Sequence, residues 1–144
     1  MSDPSIGLKN MQTEHEFFIG IDSDGCVFDT MEIKQKECFC PNFIYHFDLQ
    51  PMSRYARETW EFVNLYSSTR GVNRFHAIIR ALELLERRPE TKERNVHIEE
   101  MNGLKEWVSR ETKLGNPALQ AEIQKTENAD LKKAYEWSLA VNKD

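Results

Sequence analysis

The chain has 144 residues, 40% of them hydrophobic and 30% charged, which is the balance of a soluble globular protein rather than of a disordered one. Its net charge of -5 argues against a general nucleic-acid-binding protein, which needs a basic face, although a local positive site could still bind one small phosphorylated substrate. No apolar run approaches the roughly 20 residues that span a bilayer. We therefore expect a cytoplasmic protein that contacts neither membrane nor nucleic acid.

A short apolar run, Phe17-Phe18-Ile19-Gly20-Ile21, follows a polar, flexible leader over residues 1–15 that contains no signal-peptide stretch. Such a run predicts a strand buried on both faces, which is typical of a parallel sheet covered by helices. The expected fold class is therefore α/β. Because residues 95–98 are the one other candidate strand, the missing neighbours are expected from a longer chain, of which this is a fragment, or from another polypeptide.

From Thr30 onward the apolar residues recur at helical spacing, and helix follows helix along the rest of the sequence. Asn73 is the expected N-cap of the clearest helix, which ends before Pro89. Three tryptophans fall on apolar helical stripes and are predicted to be core anchors: Trp60, Trp107 and Trp137. The other predicted helices cover residues 31–40, 41–47, 51–66, 98–113, 117–126 and 129–141.

Two carboxylates follow the apolar run directly, Asp22 and Asp24, with Gly25 next. Acids at this spacing share one face of an extended chain, and the glycine lets the backbone turn away so that both converge on one ligand. Two adjacent carboxylates call for a compensating cation, and Mg²⁺ prefers such oxygen ligands together with substrate phosphate. One acid could then attack phosphorus while the other moves a proton. The alternative is an acidic turn that only caps the next helix.

The segment from Phe18 to Thr30 resembles the first signature of the haloacid dehalogenase (HAD) superfamily, whose core is Rossmann-like. The resemblance implies that Asp22 is the nucleophile and a magnesium ligand through its side chain. It also implies that Asp24 is the general acid/base, with its backbone carbonyl on the metal. The second acid favours phosphatases and phosphomutases over dehalogenases. Residues 16–30 would be the first strand and catalytic loop, and 31–144 a helical cap.

The later signatures of that superfamily, a second hydroxyl residue, a lysine or arginine and an acidic pair, are not found in the right context. We therefore expect a phosphatase-like hydrolase with an aspartyl-phosphate intermediate that is inactive, or nearly so, as this chain alone. Two alternatives stay open: a phosphomutase, and a non-catalytic helical interaction module with a vestigial aspartate loop. Self-association, or completion by missing core strands, is the expected assembly.

A second candidate site is the stretch from Ser67 to Arg74, which holds two arginines, several hydroxyls and a glycine ahead of a helix. Arginine matches phosphate oxygens with two parallel hydrogen bonds, and backbone N–H groups at a helix start attract anions. Arg70 and Arg74 are therefore predicted to bind the non-reacting part of the substrate. The alternative is an ordinary solvated turn.

Overall fold

The computed structural model describes residues 16–17 and 19–143, together with Ile6, Asn10 and Gln12. Helices make up the regular structure of this part of the chain. Helix α1 joins the segments Thr30–Ile33, Lys34–Phe39 and Cys40–His46; after a short 3₁₀ turn, Gln50–Met52, come α2 (Ser53–Glu61, continued by Phe62–Tyr66), α3 (Arg74–Glu86), α4 (Pro89–Glu93), α5 (Asn102–Arg110), α6 (Asn116–Thr126) and α7 (Ala129–Lys143).

The predicted first strand is absent from the described residues, and the α/β assignment is wrong for them. Phe17, Ile19 and Ile21 are exposed by 82%, 83% and 74%, and Phe18 lies outside the described residues. The nearest pairing is one isolated bridge between Asp24 and Phe28, inside the following loop. A buried strand needs neighbours for its backbone N–H and C=O groups, and the described part of the chain supplies none. The second candidate, residues 95–98, is also irregular.

Helix α1 runs through Pro41, where two separate helices were predicted. Proline lacks an N–H and its ring crowds the preceding turn, so a straight α-helix would be interrupted there. The segment that ends two residues before it, Lys34–Phe39, instead forms wider π-helical turns. The Asn42 amide also donates to the Cys38 carbonyl at 2.8 Å. These two adjustments carry the helix past the proline without a break.

The core lies where α1, α2, α3, α5 and α7 meet, and the three tryptophans fill much of it. Trp60, Trp107 and Trp137 are fully buried, which confirms the prediction that they are core anchors. The Trp60 ring packs on Phe43 at 4.6 Å between centroids and on Trp137 at 5.7 Å. Aromatic pairs at these distances add stability beyond the area they bury.

The other predicted helices lie at the expected positions in the sequence but differ from the structure at their ends. The Asn73 side chain accepts a hydrogen bond from the Phe75 N–H at 3.0 Å, which confirms it as the N-cap of α3. Helix α5 is shorter than predicted, since it begins only at Asn102. No helix among the described residues combines the length and apolar character needed to cross a bilayer.

A second π-helical segment, Phe62–Tyr66, ends α2 and lies beside the first. Just before this segment, the Trp60 indole Nε1 donates a hydrogen bond of 3.0 Å to the Oε1 of Gln35, which belongs to the first π-helical segment. Both side chains are buried, so the indole N–H has no water to replace this acceptor. Leaving a buried donor unpaired is costly.

We expect Gln35→Leu to lower the free energy of unfolding by about 1–3 kcal/mol, the usual cost of a buried donor left without an acceptor. Urea denaturation followed by tryptophan fluorescence measures this. The matched control is Gln124→Leu on the exposed surface of α6, which should change stability by less than about 0.5 kcal/mol. Equal stability of the two variants would contradict the role given to Gln35.

Candidate functional site

A cavity of about 580 Å³ lies between the aspartate loop, α1 and the stretch that joins α2 to α3. It contains all four residues predicted from the sequence as catalytic or substrate-binding: Asp22, Asp24, Arg70 and Arg74. Its volume falls in the usual range for small-molecule sites. The other lining residues are Gly25, Cys26, Met31, Lys34, Gln35, Phe39, Asn64, Gly71 and Val72.

The aspartate loop is a tight turn closed by its own backbone. The Gly25 N–H donates to the Phe28 carbonyl at 2.8 Å, and the Phe28 N–H donates to the Ser23 carbonyl at 3.0 Å. Gly25 has φ +72°, and a Cβ there would lie 2.8 Å from the Met31 Cγ. Glycine therefore meets two requirements at once: a left-handed backbone and a close approach by the first turn of α1.

The Asp24 carboxylate is held by two residues of α1. Its Oδ1 accepts from the Thr30 hydroxyl at 2.9 Å, and its Oδ2 accepts from the Lys34 ammonium at 3.1 Å. The Thr30 hydrogen bond, followed by the hydrogen bond and charge of Lys34, lowers the pKa of Asp24 below its ordinary value. The carboxyl is therefore ionised at neutral pH, and its pair with Lys34 is lost only as the pH falls through that lowered pKa.

Asp22 is exposed and engages no other described residue through its side chain. The Asp24 carbonyl likewise accepts no backbone hydrogen bond within the described residues. One free carboxylate and one free carbonyl suit Mg²⁺, which usually takes few protein oxygens and completes its shell with water and phosphate. No group of three or more histidine, cysteine or acidic side chains converges in the described chain. The described residues therefore form no protein-only metal cage, and magnesium at this loop stays a prediction.

Arg74 is the first residue of α3 and is half-buried. Its Nη1 donates to the Ser138 hydroxyl at 3.2 Å and to the Asn142 amide oxygen at 2.8 Å, both on α7. The guanidinium also lies 5.2 Å from the Phe39 ring centroid. Within the described residues it has no carboxylate partner, and burial lowers the pKa of Arg74. The charge of a partly desolvated cation with only neutral partners is not offset by the protein, which favours an anionic ligand.

Arg70 lies at the exposed rim of the same cavity. Its backbone N–H donates to the Ser67 carbonyl at 3.1 Å, within a turn that Gly71 completes at φ +81°. No acid among the described residues pairs directly with its guanidinium, although its charge contributes to the lowered pKa of Glu32. Arg70 is therefore free to approach a ligand from the solvent side.

Two buried amides complete the cavity wall, Gln35 and Asn64, one from each π-helical segment. The Gln35 Oε1 accepts from Trp60, and the Asn64 Nδ2 donates to the Trp60 carbonyl at 3.0 Å. Each amide thus has one hydrogen bond to Trp60, and no described residue is hydrogen-bonded to Gln35 Nε2 or Asn64 Oδ1. Polar groups of this kind in π-helical turns are frequent at functional sites.

Sequence reasoning missed Lys34, Gln35 and Asn64. Thr30 and Lys34 are spaced i, i+4 after the aspartates, which places them on one face of the following helix and could have indicated contact with the loop. Gln35 and Asn64 could have been found only as polar residues inside apolar helical stripes. Neither pattern indicates by itself that the two amides meet.

Comparison with known proteins adds no relative: no protein-family model, curated protein or solved structure matches this chain.

We expect Lys34→Met to raise the pKa of Asp24 toward its ordinary value, because the variant loses both a hydrogen bond and a positive charge. Thr30→Val should raise it as well. Carboxyl carbon chemical shifts followed by NMR over an acid titration report the change. The matched control is Lys36→Met, since Lys36 pairs with Glu32 at 2.7 Å and not with Asp24. A shift of the Asp24 pKa in this control, or none in Lys34→Met, would contradict the assignment.

Proposed function

We propose that this protein binds a small phosphorylated substrate in the cavity and takes the phosphoryl group on Asp22, as a phosphatase-like hydrolase. The single observation that carries the proposal is the convergence of two acids and three basic residues, from separate stretches of the chain, on one cavity. Phosphoryl transfer depends mainly on positioning and on charge stabilisation, and these residues can provide both. The proposal rests on the cavity and not on a sheet.

Asp22 is the better nucleophile of the two acids. Its carboxylate is exposed and unpaired among the described residues, whereas both oxygens of Asp24 already accept hydrogen bonds. In the proposed step an Asp22 oxygen forms a bond to phosphorus, the bond from phosphorus to the leaving oxygen breaks, and that oxygen departs with its electron pair. Water then attacks phosphorus and releases phosphate from the carboxylate.

Asp24 begins this cycle as a carboxylate, because Thr30 and Lys34 keep its pKa low. An ionised acid is ready to take a proton from water in the second step, as a general base. To protonate a leaving group in the first step, it must first acquire a proton itself. Substrates whose leaving group departs unprotonated should therefore react most readily.

Magnesium would be held by the Asp22 side chain and the Asp24 carbonyl, and when bound it would neutralise charge on the phosphoryl oxygens. Arg70 and Arg74, which line the same cavity, would bind the non-reacting part of the substrate. Lys34, paired with Asp24, would orient that carboxylate rather than offset the negative charge of the substrate.

The test uses acetyl phosphate, because acetate leaves without a proton and the reaction does not need an acid. We expect the full chain with Mg²⁺ to form an acyl phosphate on Asp22, located by borohydride reduction and peptide mass spectrometry. Asp22→Asn should abolish the label. The matched control is Asp29→Asn, an acid of the same loop that does not line the cavity and makes no side-chain cap.

Labelling at another residue, or labelling that persists in Asp22→Asn, would contradict the proposal. Absence of any label on the wild-type chain, with Mg²⁺ and folded protein, would instead favour a non-catalytic helical module. The prediction that the chain alone is inactive, or nearly so, towards a generic aryl phosphate stays open to the same assay.

A further inference from the structure

The charges and polar groups of the cavity exceed what a single phosphoryl group needs. Lys34, Arg70 and Arg74 carry three positive charges, and Asp22 and Asp24 carry two negative ones, so the wall has an excess of one positive charge. A phosphoryl group at neutral pH brings about two negative charges, which a bound Mg²⁺ offsets. The excess positive charge therefore remains after the reacting group and its metal are in place.

The excess positive charge can be assigned to one residue of the cavity. Lys34 already pairs with Asp24 at 3.1 Å, so it is not available. Arg70 is exposed at the rim, where solvent screens its charge. Arg74 is the half-buried one, its Nη1 is fixed on two neutral acceptors of α7, and its Nε and Nη2 have no partner among the described residues. A desolvated guanidinium held in one orientation is better prepared for an anion than a mobile one.

A hydrogen-bond donor lies on the same wall. Gln35 and Phe39 are spaced i, i+4 on α1, which places them on one face, and the Arg74 guanidinium lies over the Phe39 ring. The Gln35 amide uses its oxygen on Trp60 and keeps its Nε2 unpartnered in the described chain. Arg74 and Gln35 both line the cavity, and each keeps N–H groups without a partner among the described residues. A carboxylate is an acceptor for donors of this kind.

The cavity is also too large for phosphate alone. Its volume is about 580 Å³, while one water molecule occupies about 30 Å³ in the liquid. A phosphoryl group with a metal ion fills a small part of this space. The Phe39 ring and the Met31 and Val72 side chains provide apolar wall for a short carbon linker.

We infer that the substrate is a small phosphorylated carboxylic acid, with its carboxylate bound by Arg74 and Gln35 and its phosphoryl group at Asp22. This inference rests on the proposed function, since it places the second anion relative to the phosphoryl site. It adds a recognition element that works through binding and takes no part in the chemical step.

Calorimetric titration of the full chain with Mg²⁺ tests this, using a matched pair of phosphonates that cannot be hydrolysed. Phosphonobutanoate carries both anionic groups, and butylphosphonate carries only one. We expect the first to bind roughly tenfold more tightly, because its carboxylate adds charge-assisted hydrogen bonds. Butanoate alone should bind weakly.

The variant Arg74→Gln should bring the ratio of the two affinities close to one. The matched control is Arg80→Gln, an exposed arginine of the same helix that does not line this cavity, and it should keep the wild-type ratio. An Arg74→Gln variant that weakens both ligands equally would assign Arg74 to the phosphoryl group and overturn the inference. The wild-type comparison is decisive even if Arg74→Gln does not fold.

The outcomes separate the two proposals. If neither phosphonate binds, the phosphoryl site itself is wrong and the proposed function fails. If both bind with the same affinity, the phosphoryl site stands and the carboxylate subsite does not exist.

Discussion

The hydrogen bond from the Trp60 indole to the Gln35 amide fixes α1 against α2 at the boundary between core and cavity. A buried indole N–H tolerates few arrangements, because an unpaired donor in an apolar interior is expensive. Sliding or rotating α1 would break this contact and would also move Lys34, the preceding residue, away from Asp24. The same constraint therefore stabilises the core and sets the position of the charged wall.

The basic residues of the cavity have two kinds of partner, one charged and one neutral. Lys34 is matched to an acid and keeps that acid ionised. Arg74 is matched to a hydroxyl and an amide oxygen, which orient the guanidinium without neutralising it. Hydrogen bonding can thus hold a cation in place while its charge stays available to a ligand. The neutral amides of Gln35 and Asn64 are held in a similar way, each by one hydrogen bond to Trp60.

The helices were predictable because their apolar periodicity and the Asn73 cap are local signals. The strand was not, because Phe17, Ile19 and Ile21 have the composition of a buried strand, but strand formation depends on partners that a local pattern cannot supply. Pro41 predicts a helix boundary, whereas π-helical turns carry α1 past it.

The candidate site was partly predictable for the same reason. The spacing of Asp22, Asp24 and Gly25 indicates converging acids, and the loop before α3 indicates anion binding. Their meeting in one cavity, however, depends on how α1 packs on α2, through contacts between residues 25 positions apart. The pattern of residues along a single helix does not reveal which residues of two different helices come into contact. Gln35 and Asn64 are accordingly residues that only tertiary packing identifies.

The anchoring of Arg74 on α7 couples the cavity to the last helix of the described chain. Ser138 and Asn142 lie near the end of that helix, where fraying is greatest in most proteins. Fluctuation of this terminus changes how rigidly the guanidinium is presented. By thermodynamic reciprocity, an anion that immobilises Arg74 also damps the motion of α7. Occupancy of the cavity should therefore change the hydrogen-exchange protection of α7, more than one hundred residues downstream of Asp22.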